Sequence, residues 1–333
     1  MLISLVVPCF DEEEALPHLL AALDQATTKL RAAGHRVERI FVDDGSRDGT
    51  FGVLKAAAAA RDQDFRVVRF RRNFGQTAAL AAGFSHSHGE VIVALDADLQ
   101  NDPDDIPLLL EKIDEGYDVV SGWRKDRHDA TITRKIPSKV ANWVISKVSG
   151  VHLHDYGCTL KAYRRDVVEP MRLYGEMHRF IPVYASWIGA KITELPVRHH
   201  PRRFGRAKYG LERVPKVILD LLVVRFLSSF STKPIYVFGG FGLISFVLAF
   251  LAAGLAVYYK LAHLKDFIQT PLPMLTTLLI LVGVLSILMG FLAELTVRTY
   301  HEASARPTYV VREVVAGGQG QAQPCAESAE SSA

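Results

Sequence analysis

Two late stretches, Pro234 to Tyr259 and Pro271 to Ala293, contain no charged residue at all. Each is longer than the ~20 residues that a helix needs to cross a hydrocarbon core of roughly 30 Å. Core helices of soluble proteins seldom run so far without a charge, so two membrane spans are expected. The 49% apolar content of the 333-residue chain is concentrated here, leaving residues 1–210 mixed and soluble in character. Arg225 and Lys233 precede the first stretch, and Arg298, Arg306 and Arg312 follow the second. Lys260 and Lys265 face Asp266 in the short linker between them. This bias places both flanks on the cytoplasmic side. The start, Met1 to Pro8, lacks the basic head of a secretion signal and reads as a first strand. Cys9, Cys158 and Cys325 are odd in number and scattered, which is no disulfide framework. A net charge of +3 gives no reason to expect a nucleic-acid partner.

The first 125 residues alternate strand and helix signals. Strands are expected at Leu2–Pro8, Val37–Val42, Phe65–Phe70 and Glu90–Leu95, with helices at Glu14–Ala33, Phe51–Ala60 and Thr77–His86. Such alternation implies a mostly parallel sheet covered on both faces, with ligands at the carboxyl ends of its strands. Farther on, an amphipathic helix is expected at Thr133–Val148. Leu211 to Phe230 combines a strongly apolar helical pattern with Arg213, Lys216 and Arg225, and reads as a helix lying on the membrane surface. The Gly, Gln, Ser and Ala-rich tail after Val315 is expected to be disordered.

Three acidic clusters fall at strand ends: Pro8-Cys-Phe-Asp-Glu12, Val42-Asp-Asp-Gly-Ser-Arg-Asp-Gly-Thr50 and Asp96-Ala-Asp98, the last extended by Gln100, Asn101 and Asp102. A buried strand that ends in two carboxylates is costly unless a cation meets them. Mg2+ is typically held by one or two carboxylates plus substrate phosphates, so a nucleotide sugar would complete such a site. Asp98 is therefore expected to hold the metal, with Gln100 as a further ligand and Asp96 between the metal and the ribose. Asp43 and Asp44 are assigned to the base and ribose. Taken alone, Asp44-Gly45-Ser46 also fits a turn that caps a helix. His152 and His154 would share a strand face, where a surface pair is a better reading than a zinc site. Glu294, near the end of the second span, is within reach of the interface.

These clusters, with Asn73-Phe-Gly-Gln76 and Phe204-Gly-x-x-Lys-Tyr209, resemble family 2 glycosyltransferases of the polyprenyl-phosphate type, such as dolichyl-phosphate mannose synthases. The resemblance runs from residue 1 to about 312, including Ala305-Arg-Pro-x-Tyr309. Several stretches are more similar still to bacterial undecaprenyl-phosphate 4-deoxy-4-formamido-L-arabinose transferases: Gly83-Phe-Ser-His86, Asp114 to Val120, Asp155-Tyr-Gly-Cys158 and Ala162-Tyr-Arg-Arg165. The resemblance implies a nucleotide-sugar-binding GT-A type domain over 1–210, interfacial helices over 211–232, transmembrane helices over 233–259 and 271–297, and a cytoplasmic tail over 298–333. It implies inverting transfer of one sugar, UDP-linked, to undecaprenyl or another polyprenyl phosphate at a bacterial plasma membrane, with Mg2+ or Mn2+, in a service of envelope glycan or lipid A modification. Pro8, Phe10, Glu12 and Asn73 would join the nucleotide-sugar site. Arg124, Arg134 and Ser138 would bind the acceptor phosphate, helped by Arg203, Arg206 and Lys208. Asp155 would stand near the anomeric carbon, although Asp155-Tyr-Gly-Cys-Thr-Leu-Lys161 departs from the glucosyltransferase version of that segment. A homo-oligomer, tetrameric by family analogy, is expected, and Gly239, Gly240, Gly242 and Gly254 suit close helix packing.

The rivals are a GDP-mannose-dependent synthase, a processive polysaccharide synthase and a silent membrane scaffold. A processive synthase needs a Gln-x-x-Arg-Trp motif and more spans, and the chain has neither. Intact Asp96, Asp98 and Arg134 argue against the scaffold.

Overall fold

The computed structural model describes residues 1–125, 146, 150–171, 173, 177–201, 235–303 and 309–318. Its elements are β1 (Leu2–Cys9), α1 (Leu16–Ala32), β2 (Arg36–Asp43), α2 (Thr50–Ala59), β3 (Phe65–Phe70), α3 (Gln76–Ser85), β4 (Val91–Ala94), α4 (Ile106–Asp114) and β5 (Val119–Trp123). They continue with β6 (Lys161–Arg164), the short helices α5 (Arg165–Val168) and α6 (Ile181–Trp187), β7 (Ile192–Pro196), two long helices α7 (Ile235–Leu261) and α8 (Leu272–Ala303), and β8 (Val311–Ala316). The expected helices at Thr133–Val148 and Leu211–Phe230 lie outside the described residues, apart from Ser146.

The strands form one sheet in the order β7-β5-β6-β4-β1-β2-β3-β8. Its centre, β4-β1-β2-β3, is parallel, as is the β5–β7 pair. The antiparallel members are β6, between β4 and β5, and β8 at the far edge beside β3. Alternate residues feed opposite faces, as strand geometry requires. Ile3, Leu5 and Val7 join Leu16, Leu19, Leu23 and Ile106 on one side, while Val6, Ile40 and Ile92 join Ala79, Leu80 and Phe84 on the other. Because β1, β2 and β4 are parallel with Cys9 opposite Asp43 and Val6 opposite Ala94, their following loops leave the same edge. That edge gathers all three acidic clusters.

The second unit, Leu222–Arg306, contains α7 and α8. Both pass as candidate membrane spans, over Phe238–Leu261 and Leu272–Ala293. Their outer side chains are exposed and apolar, Phe250 at 82% and Met274 at 80%, as a lipid-facing surface requires. The hydroxyls of Ser245, Thr276 and Thr277 donate to the carbonyl four residues earlier, which satisfies them without water. The two helices meet at Gly242 and Gly283: a Cβ on Gly242 would lie 2.9 Å from the Gly283 carbonyl oxygen. Gly240 and Gly254 have nothing within 4 Å of a built Cβ and play no part in this pairing.

Residues 311–316, read from sequence as part of the tail, form β8 and close the sheet. The partner, β3, lies far away in the chain, so no local pattern announces the strand.

Candidate active site

The loops after β1 and β2 are tied to each other. Asp11, in the left-handed region at φ 49°, donates its N–H to Ser46 Oγ at 3.0 Å and accepts Arg47 N–H at 2.8 Å. The Glu12 N–H donates to Thr50 Oγ1 at 2.8 Å, and the Gly49 N–H to Glu13 Oε2 at 2.8 Å. Asp44 N–H donates to the Cys9 carbonyl at 2.9 Å. Such cross-links hold the segments containing Pro8, Phe10 and Glu12 against the one containing Asp43 and Asp44.

Asp43 ends β2 fully buried, with Oδ1 accepting the Ser46 N–H at 3.1 Å. Burial raises its carboxyl above the ordinary range. Asp44 turns the other way: its two oxygens accept the N–H groups of Phe74 at 2.7 Å and Gly75 at 2.9 Å. Burial outweighs these two bonds and pushes its carboxyl up to about 6. Asp44 thus splices the second cluster to the Asn73-Phe-Gly-Gln76 motif, and Asn73 itself is exposed beside that splice.

Next along the edge, Gln76 donates its amide to Asp96 at 2.7 Å. Burial, then the charge of Asp98, pushes the Asp96 carboxyl up to about 7, against a hydrogen bond from Thr159 and the charges of Arg124 and Lys161. Asp98 is buried at 7% exposure and accepts the Gln100 N–H at 3.1 Å. Leu99 between them is held at φ 59°, a left-handed conformation that an L side chain adopts at a cost of ~1–2 kcal/mol. Gln100 is fixed from both sides, because its carbonyl accepts the His200 N–H at 2.8 Å.

Asp155 and Arg124, assigned separate roles from the sequence, form one unit. Arg124 Nε and Nη2 reach the two Asp155 oxygens at 2.6 and 2.9 Å, a bidentate pair with both side chains largely buried. Gly157 N–H donates to the same carboxylate at 3.1 Å. Beneath this loop, the ammonium of Lys161 bonds the carbonyls of Tyr156, at 3.2 Å, and Cys158. Lys161 is 2% exposed, and burial lowers its pKa. Neither sequence pattern nor resemblance singled it out. Cys158 is equally buried, which pushes its thiol up to about 11 and leaves it protonated and inert. His154 stacks on Trp123 with centroids 4.4 Å apart and bonds Glu194, so the His152–His154 pair sits on an irregular surface segment rather than on a strand.

Asp96 and Asp98 offer hard oxygen donors and an excess of negative charge, which suits Mg2+ or Mn2+. Among the described residues no group of three or more His, Cys, Asp or Glu converges to hold a metal unaided. Such a pair fits an ion whose remaining ligands come from phosphates and water. Arg134, Ser138, Arg203, Arg206 and Lys208 lie outside the described residues, as does the side chain of Glu294.

The family model "Glycosyl transferase family 2" matches residues 4–172, from β1 through the Asp155 loop and β6. A dodecaprenyl-phosphate galacturonate synthase of Rhizobium johnstonii is 40% identical over 315 residues, covering 94% of this chain and 92% of that one. An undecaprenyl-phosphate 4-deoxy-4-formamido-L-arabinose transferase of Klebsiella pneumoniae is 38% identical over 314 residues, covering 94% and 93%. Among solved structures, glucosyl-3-phosphoglycerate synthase of Mycobacterium tuberculosis with Mn2+, uridine diphosphate and phosphoglyceric acid matches with a TM-score of 0.51 at 18% identity, covering 68% of this chain and 78% of that one. Mannosyl-3-phosphoglycerate synthase of Rubrobacter xylanophilus gives 0.50 at 15% identity, covering 68% and 74%. At these identities the solved structures speak for the fold alone, a GT-A-like mixed sheet. The domain match and the near full-length relatives together establish that the chain belongs to glycosyl transferase family 2.

Proposed function

We propose that the protein transfers one sugar from a uridine-diphosphate donor to undecaprenyl or another polyprenyl phosphate at the cytoplasmic face of a bacterial plasma membrane. The observation that carries this reading is the gathering of Asp96 and Asp98 with the Arg124–Asp155 pair at the edge where the Asp43–Asp44 loop also emerges. The two relatives named above act, by their names, on polyprenyl phosphates.

The chemistry asks little of a general base. A phosphate monoester has its second pKa near ~6, so the acceptor is already a nucleophile at neutral pH. Its oxygen attacks the anomeric carbon as the bond to the diphosphate breaks, which inverts that centre in one displacement. Asp96 and Asp98 would hold a divalent ion, which when bound neutralises the departing diphosphate. The Asp43–Asp44 loop would meet the base and ribose, with the buried Asp43 anchoring it from beneath and Asp44 keeping the Phe74–Gly75 turn in place. Arg124, locked by Asp155, would present fixed positive charge to the acceptor phosphate, with Arg134, Ser138, Arg203, Arg206 and Lys208 assigned beside it. Asp155 would thereby act through Arg124 as well as near the anomeric carbon.

The membrane topology follows the sheet. Both α7 and α8 fall between β7 and β8, and β7 and β8 belong to the same sheet. A chain that leaves and returns to one sheet crosses a bilayer an even number of times, which supports two spans and a catalytic domain that shares its side with the tail.

The test is transfer by the purified full-length protein in detergent with undecaprenyl phosphate and Mn2+ or Mg2+. The donors are UDP-galacturonate, UDP-4-formamido-arabinose, UDP-glucose and GDP-mannose, with mass spectrometry of the lipid fraction. A glycolipid from a uridine donor is expected, lost on chelation and reduced at least ~100-fold by Asp98→Asn. Nucleotide binding without glycolipid from any donor would instead favour a silent scaffold.

A further inference from the structure

The strand that follows the membrane helices does more than seal a sheet edge. In the antiparallel register of β3 and β8, Arg69 stands opposite Glu313. Arg69 Nη1 donates to Glu313 Oε1 at 3.1 Å. The Nε of the same guanidinium lies 3.5 Å from Asp43 Oδ2, and its plane sits over the Phe51 ring at 4.1 Å from the centroid. Two carboxylates, one from β2 and one from β8, are therefore joined through one arginine. The register shifts between Arg69 and Phe70, and the alignment is fixed just there by Tyr309 stacking on Phe70 at 5.1 Å and by the Arg71 N–H donating to the Val310 carbonyl at 3.2 Å.

Asp43 has need of a fixed partner. It is fully buried, and Oδ2 receives no hydrogen bond among the described residues, so the Arg69 ion pair is what the structure offers that oxygen. A strand recruited only to cover an edge would be served as well by a neutral residue at 313, since Val314 and Val315 already turn apolar surface inward.

We infer that Glu313 and Arg69 are positioning residues for nucleotide recognition: Glu313 holds the Arg69 guanidinium, which in turn anchors the buried Asp43 and with it the Asp43–Asp44 loop that meets the nucleotide. The inference rests on the reading that the Asp43–Asp44 loop meets the nucleotide. It makes the last described strand, which follows both apolar helices in the chain, a support of the nucleotide pocket.

The experiment uses full-length protein in detergent, with UDP and Mn2+ binding followed by calorimetry, and donor KM and kcat measured with undecaprenyl phosphate. Glu313→Gln keeps shape and removes charge. It is expected to weaken UDP binding about five-fold and raise donor KM in step, with kcat within about two-fold of wild type. Arg69→Lys keeps charge but loses the fork that reaches two carboxylates, and is expected to act in the same direction. Arg69→Gln should cost about twenty-fold, and adding Glu313→Gln to it should change nothing further, because the coupling runs through the arginine. Arg312→Ala, on the exposed alternate position of β8, should bind as wild type. Equal UDP affinity in wild type and both conservative variants, or singles that simply multiply in the double variant, would overturn the inference while leaving the transferase reading intact. Failure of the wild type to bind any nucleotide would remove that reading, and the inference with it.

Discussion

Replacing Gly45 by alanine tests the locking of the second loop onto the turn before α3. Gly45 leaves β2 at φ 69°, and a Cβ built there lies 2.4 Å from the Arg72 carbonyl carbon and 2.7 Å from both Arg72 Cα and Asn73 N. All three are backbone atoms, so no side-chain rotation relieves the clash. The left-handed conformation itself costs an L residue ~1–2 kcal/mol. Carbon atoms in contact sit about 3.5–4.0 Å apart, so the two loops must separate by about 1 Å. Overpacking of that kind costs about 1–3 kcal/mol. The same movement stretches the bonds from Phe74 and Gly75 to Asp44, 2.7 and 2.9 Å long, and losing one charge-assisted bond adds about 1.5 kcal/mol or more. The total is about 5 kcal/mol, which for a unit of this size lowers the unfolding temperature by roughly 10–20 °C. Gly34→Ala supplies the control, because Gly34 has φ 87° but nothing within 4 Å of its Cβ. It should show the conformational cost alone, roughly 2–8 °C. The assay is thermal unfolding of the full-length protein in detergent, followed by tryptophan fluorescence, with UDP affinity measured in parallel. A Gly45→Ala protein that unfolds no earlier than Gly34→Ala and binds UDP as wild type would refute the locked-loop geometry.

Three further outcomes follow from the site. Arg124→Lys should lower kcat about 10- to 100-fold in the lipid-transfer assay with little change in donor KM, since an ammonium cannot make the bidentate pair with Asp155. Lys161→Met leaves the Tyr156 and Cys158 carbonyls buried without their donor and should destabilise by about 3 kcal/mol in chemical unfolding, whereas Lys161→Arg, too large for the site, should not rescue it. Asp44 has its carboxyl raised from 3.8 to about 6, so the folded state holds this proton more tightly than the unfolded state does. Its contribution is full below about pH 4 and is lost as pH rises through about 6, an effect of about 3 kcal/mol at ~1.4 kcal/mol per pKa unit. Asp44→Asn should remove that slope, and parallel pH dependences of wild type and variant would disprove the assignment.

The first half of the sheet is legible because its signals are local. Each of β1 to β4 is an apolar run with a helical segment before the next, amphipathic in α1 and alanine-rich in α2 and α3, and the strand expected at Phe65–Phe70 is the strand observed. Helix α3 begins one residue earlier than its apolar pattern, at Gln76, since Gly75 at φ 95° sets the turn. Beyond β5 the signal fails for identifiable reasons. The loop from Val151 to Leu160 has no period, so Asp155 could be named only by resemblance, and its pairing with Arg124 is a tertiary fact. Lys161 looks like a surface residue at the start of a short strand, because nothing local shows that β4 and β5 flank it on both sides. Gln76 belongs to the Asn73-Phe-Gly-Gln76 motif, yet its bond to Asp96 depends on the parallel neighbours β1 and β4 rather than on spacing.

Glu313 and Arg69 are 244 residues apart, with both apolar helices between them, and that separation bears on how the enzyme is built. A transferase whose acceptor is a lipid phosphate needs its soluble domain kept at a membrane, and one anchoring helix at either end of the chain would be enough. Here the helix pair is placed before the last described strand, so the sheet edge at β3 closes only once the second helix has been made and the chain has returned. Pairing β8 with β3 also removes an exposed edge that could template aggregation. The nascent sheet domain is thus left with an open edge until both apolar helices are complete. The Arg69 bridge to Asp43 then links that closure to the loop proposed to meet the nucleotide. A molecule that fails to complete its two candidate spans would lack both the sealed edge and the fixed Asp43, and is expected to engage nucleotide less tightly.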